Sequence, residues 1–151
     1  MAQRKDIVST INDLIITLKD GQQGFKEAAE GVADAQLKSV FNEYSQQRSR
    51  FAAELQNEAR RLGESEPEES SSTAGAMHRT WINLKSAIAT KQDHAVLAEC
   101  ERGEDSAVKE YNDALKEGLS PTVRGIIEHQ YKEIKAAHDL VKGLRDAAKK
   151  P

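Results

Sequence analysis

One cysteine in 151 residues, Cys100, leaves no partner for an internal disulfide, which fits a reducing compartment. Long apolar runs are missing too. No stretch approaches the ~20 consecutive apolar residues that a membrane-spanning helix needs. The opening "MAQRKDIVST" lacks the apolar centre of a secretion signal. Positive charge is neither abundant nor clustered: the net charge is −3, whereas nucleic-acid binding depends on concentrated lysine and arginine. Strand-like alternation and internal repeats of fixed period are absent as well. These absences predict a soluble cytoplasmic protein with neither nucleic acid nor membrane as a partner.

The residues present point to helices. A chain of this length suits a single domain, 1–151, with a real core. Its 38% hydrophobic and 31% charged residues match long helices with wet outer faces. From Ile7, apolar or small residues recur as Ile11, Leu14, Leu18, Gly21, Phe25, Ala28 and Val32, stepping by four and three along one helix stripe. Asp6 is placed to cap this first helix, which should end near Gly31. Asp34 should cap a second helix, with Leu37, Phe41, Tyr44, Arg48, Phe51, Leu55 and Leu62 on its inner stripe and Gly63 closing it in a left-handed turn. The acidic, serine-rich segment "GESEPEESSSTAG" (63–75) breaks the period and reads as an exposed linker. Met77, Trp81, Leu84 and Ile88 then mark a short helix over 76–90. Asp93 should cap a third long helix running to about Glu117, with Leu97, Glu101, Glu104, Val108, Tyr111 and Leu115 inward. Ser120 and Pro121 open the last helix, whose stripe is Val123, Ile127, Gln130, Ile134, Ala137, Val141 and Leu144.

Connection lengths select the topology. The first two long helices are joined tightly, as are the last two, so each pair is antiparallel. Residues 63–92 separate the pairs. A helix of ~25 residues is about 38 Å long, and this segment can run that full length. The expected fold is therefore all-α: a ferritin-like four-helix bundle with one long crossover carrying the short helix.

Four stretches resemble a known family: "DGQQGFKEAAE" (20–30), "HRTWINLKSAI" (78–88), "LAECERGEDSAVKEYNDAL" (97–115) and "EHQYKEIKAAHD" (128–139). The sequence is similar to an uncharacterised bacterial family of ferritin-like four-helix bundles, domain of unknown function 2383. The resemblance spans essentially the whole chain, and the third stretch is its most specific part. It implies a ferritin-like fold in a bacterial protein and no established activity.

Polar residues interrupt the inner stripes at one depth. Asp20, Tyr44, Arg48, Glu101, Glu104, Tyr111, Gln130 and Glu133 fall near the helix midpoints and form a candidate buried polar layer. Ferritin-like proteins hold two metals at that depth, using one glutamate from each of two helices and Glu-x-x-His from each of the other two. Here Gly75, Lys91, Ile126 and Lys135 stand three before the four histidines, so no Glu-x-x-His exists. Arg48 further places a cation where a ligand is required. The layer should thus be ionic and free of cofactor, with Arg48 paired to Glu101 or Glu104 and Tyr44, Tyr111 and Gln130 satisfying the rest. The alternative is an iron or manganese site built from carboxylates alone, Glu27, Glu101, Glu104 and Glu133. His94, His129 and His138 read as surface histidines, Cys100 as a small buried hydrophobe, and Gly21, Gly24 and Gly103 as points of close approach or room for a large neighbour, with a small cavity beside the polar layer as the alternative. The functional expectation is a non-enzymatic structural, stress-related or interaction protein, monomeric or homodimeric, whose partner, if any, is another protein.

Overall fold

The computed structural model describes residues 4–63, 81 and 83–149. Five helices account for nearly all of them: α1 (Arg4–Gly31), α2 (Ala35–Arg61), α3 (Leu84–Ala89), α4 (Asp93–Leu115) and α5 (Pro121–Lys149). Among the described residues there is no strand. The acidic linker of 64–75, the first part of the short helix (76–80) and His78 lie outside the described residues.

Helix ends follow the capping chemistry in most places. Asp34 is extended and accepts a hydrogen bond from the Leu37 amide at 3.0 Å, supplying one of the amide partners that α2 lacks at its start. Gly63 has φ 101°, the left-handed turn that glycine adopts without strain, and its amide bonds to Arg60 O. Three expectations change. α1 begins at Arg4, so Asp6 lies inside it. Asp93 is the first residue of α4, not its cap; Gln92 precedes it in extended conformation, and Asp93 instead places negative charge at the positive end of the helix. α4 closes at Leu115, two residues early. There Arg124 of α5 donates to the Leu115 and Glu117 carbonyls, both at 2.9 Å, which satisfies terminal acceptors and fixes the turn between the two helices.

Two apolar clusters give the helix directions. One joins Ile7–Leu18 of α1 to Phe51–Ala59 of α2, Ala107–Ala114 of α4 and Val123–Ile134 of α5. The other joins Phe25–Val32, Leu37 and Phe41, Val96–Cys100 and Val141 to Trp81, Leu84 and Ala87. Consequently α1 and α5 run one way, and α2 and α4 the other. The C-terminus of α2 and the N-terminus of α4 therefore lie at opposite ends of the two clusters.

The inner stripes of α1, α2 and α5 lie where the periodicity puts them. That of α4 is rotated. Its buried positions are Leu97, Cys100, Glu104, Ala107, Tyr111 and Ala114, while Glu101, Val108 and Leu115 sit only partly buried at the margin. Beside this stripe, Gly103 leaves room for a large residue from outside α4. Trp81 inserts between α1 and α4, only 4% exposed, and packs edge-on to Phe25 at 5.3 Å. A Cβ on Gly24 or on Gly103 would stand 2.5 Å from the indole ring. The two glycines are the slot that admits it.

A candidate functional site: the polar layer

At mid-depth, between the two apolar clusters, α2 and α4 exchange an ion pair across the molecule. Arg48 and Glu104 are 1% and 0% exposed. Both guanidinium Nη atoms bond to the carboxylate, Nη1 to Oε1 and Nη2 to Oε2, the latter at 2.7 Å. This is the two-pronged geometry that arginine, and not lysine, can form. Nε donates to Gln47 Oε1 at 3.1 Å, and the guanidinium carbon lies 5.3 Å from the centre of the Phe25 ring. Gly21 completes the enclosure: a Cβ there would already be 3.4 Å from Nη1. Burial alone pulls the Arg48 pKa down. The charge and hydrogen bonds of Glu104 outweigh that and hold it above its usual value.

Tyr111 and Gln130 extend the layer. The Tyr111 hydroxyl donates to Gln130 Oε1 at 2.7 Å. The Gln130 amide donates to the Phe51 carbonyl at 3.2 Å and to Glu54 Oε1 at 2.8 Å, so one side chain ties α5 to both α4 and α2. Burial first, with help from Glu54 and Glu104, raises the Tyr111 pKa and keeps its phenol protonated. Tyr44 is half-buried with its ring 5.4 Å from that of Phe25; burial and then Glu104 push its phenol up to about 12. Asp20 is buried and lines a cleft of about 410 Å³ between α1 and α4, together with Gly21, Trp81, Gly103 and Glu104.

The remaining residues named from sequence stand elsewhere. Glu101 is one position off the inner stripe, a rotation of about 100° on a helix. It meets His138 Nε2 at 3.4 Å and Arg145 Nη1 at 3.3 Å on the α4–α5 flank, and does not meet Arg48. Glu133 is exposed on α5, outside the layer. Glu27 accepts from Gln23 one turn away at 3.0 Å on an exposed face. The carboxylates of Glu27, Glu101, Glu104 and Glu133 therefore do not converge on one point, and the deepest of them is already held by a guanidinium. The residues do not fit a dinuclear metal centre.

Besides the buried Ser45 and Glu58, two polar contributors escaped the periodicity. Glu99, 5% exposed, accepts from the Asn83 amide at 3.0 Å and pairs with Arg102 at 2.8 Å, tying the residue before α3 to α4. His138 is largely covered and faces carboxylates on both ring nitrogens. Helix spacing gives the Glu99–Arg102 pair, one turn apart on α4, but not the contact of Glu99 with Asn83 or those of His138 with Glu101 and Asp105, which cross between elements. Cys100 lies in the α4 stripe, fully buried; burial, then the charges of Glu104 and Glu99, push its thiol well above the usual range.

No curated protein matches the chain. A family model described as Domain of unknown function (DUF2383) matches residues 6–117, from the start of α1 past the end of α4. The chain belongs to that family.

Proposed function

We propose that this chain is a ferritin-like four-helix bundle of the bacterial cytoplasm, with one long crossover between α2 and α4. In this reading it serves a structural, stress-related or protein-interaction role and catalyses nothing. The observation that carries it is the Arg48–Glu104 pair, which occupies the depth at which ferritin-like proteins hold two metals. A guanidinium there repels cations and engages both oxygens of the one central carboxylate. Missing Glu-x-x-His pairs and the dispersal of Glu27, Glu101 and Glu133 support the same conclusion. The stress-related element rests on fold analogy alone.

The outer faces support a monomer or a modest homodimer. Leu140, 47% exposed, is the one large apolar side chain standing out among the described residues, well short of a contiguous apolar patch. The lone buried cysteine favours the cytoplasm, and no described helix is long and apolar enough to cross a membrane. Loading with ferrous iron or manganese under dioxygen tests the proposal. The expected result is no oxo-bridged diferric absorbance and no pair of ions dependent on Glu104. Two equivalents of iron or manganese per chain, lost in Glu104→Gln, would overturn it.

A further inference from the structure

The flank where Glu101 meets His138 has a geometry that neutral side chains cannot satisfy. His138 Nε2 faces Glu101 Oε1 at 3.4 Å and Asp105 Oδ1 at 2.5 Å, both from α4. His138 Nδ1 faces Asp139 Oδ1 at 3.0 Å. A neutral imidazole has one N–H and one lone pair. Whichever nitrogen bears the proton, the other aims its lone pair at a carboxylate oxygen. Unless the ring is protonated and donates from both nitrogens, a cation has to stand on one side of it.

The surroundings say which side and what kind. Lys135 bonds both oxygens of Asp139 at 3.0 and 3.1 Å. Arg145 takes Glu101 Oε2 at 3.3 Å and leaves Oε1 toward the imidazole. Four carboxylates, with Asp146 on Arg145, against two basic side chains leave two net negative charges, one more than a protonated His138 neutralises. On the Asp139 side a lysine already balances the carboxylate. On the Nε2 side Glu101, Asp105 and His138 bring three ligand atoms within 4.8 Å of one another. Bonds of about 2.0–2.1 Å in a tetrahedral site place ligand atoms about 3.3 Å apart; the Glu101–His138 spacing of 3.4 Å is close to this, while the Asp105–His138 contact of 2.5 Å has to open by about 0.8 Å to admit the ion. Asp139 then accepts the Nδ1 proton and orients the ring, the usual partner of a metal-bound histidine.

We infer that Glu101, Asp105 and His138 form a mononuclear site for a divalent transition ion of the zinc class, bridging α4 and α5 outside the core. One imidazole with two carboxylates suits such ions better than magnesium or calcium, and three protein ligands leave a position for water or a ligand oxygen. Glu101 and Asp105 are one turn apart on α4, and His138 comes from α5, so the bound ion would also staple the two helices. The site shares no residue with the Arg48–Glu104 pair, so either reading can fail without the other.

The test is a Co²⁺ titration of the full chain, stripped of metal, near neutral pH. One Co²⁺ per chain should bind with visible d–d absorption and be displaced by Zn²⁺. His138→Gln and Asp105→Asn should each weaken binding by at least about 10-fold, and Asp139→Asn by roughly 10- to 100-fold. His129→Gln, an exposed histidine elsewhere, should leave it unchanged. Should His138→Gln fail to fold, histidine NMR on the unaltered chain decides: Zn²⁺ must shift one imidazole and spare the other three. No saturable binding up to ~1 mM metal, affinity insensitive to His138→Gln, or shifts in none or all of the histidines would refute the assignment.

Discussion

At the scale of single residues, burial decides what a reactive group can do. Cys100 is enclosed by Leu97, Val96 and its neighbours in the second apolar cluster, and two nearby glutamates add to the cost of a thiolate. It should therefore be inert: thiol reagents such as Ellman's reagent should modify it only at the rate of global unfolding, and promptly once denaturant is added. Rapid labelling of the folded chain would place the thiol outside the core. Rotation by one helix position makes a comparable difference for Glu101. Cys100 and Glu101 are adjacent in sequence, yet one faces the interior and the other the α4–α5 flank. The sequence favours Glu101, Val108 and Leu115 because a search for apolar bulk prefers Val108 and Leu115 over Ala107 and Ala114. The true stripe mixes Leu97, Glu104 and Tyr111 with Cys100, Ala107 and Ala114, and nothing local to α4 reveals that an indole from another part of the chain will pack against Gly103.

Among the elements, the glycines of α1 and α4 make this visible in energy. Glycine within a helix usually costs roughly 0.5–1 kcal/mol relative to alanine. Gly125→Ala and Gly143→Ala, with nothing within 4 Å of the added Cβ, should accordingly stabilise the protein by about that amount. Gly24→Ala and Gly103→Ala should do the reverse, since the new Cβ meets the Trp81 ring at 2.5 Å. Overpacking of that kind costs roughly 1–3 kcal/mol. Trp81→Ala should lose about 3–5 kcal/mol by emptying the slot. Urea denaturation of the five variants checks the pattern, and equal stabilisation at all four glycines would mean that Trp81 does not sit between α1 and α4. Sequence periodicity gave the inner stripes of α1, α2 and α5, and the caps at Asp34 and Gly63 followed from local hydrogen-bond needs. The role of Gly24 and Gly103 was legible only as close approach or room for a large neighbour, set against a small cavity, because the neighbour, Trp81, belongs to neither helix.

For the whole molecule, the fold depends on how a charged midsection is tolerated between two apolar clusters. Attraction between Arg48 and Glu104 offsets the cost of removing both from water, without necessarily adding net stability. What the pair supplies is register: two-pronged bonds across α2 and α4 form at one helix offset, and Tyr111 with Gln130 repeats the constraint for α5. That a polar layer existed was readable from the interrupted stripes, as was the participation of Arg48. Which carboxylate it meets was not, since Glu101 and Glu104 share a helix face and only the packing of α4 against Trp81 and α1 sets the rotation.

Equilibrium denaturation of Arg48→Met, Glu104→Leu and the double variant addresses this point most directly. Each single change should cost roughly 3–5 kcal/mol, because it strands the opposite charge in the interior, while the double variant should return to within about 1 kcal/mol of the unaltered chain. Single variants that lose less than about 1 kcal/mol, or single losses that simply add in the double variant, would contradict a buried ion pair at the centre of the fold.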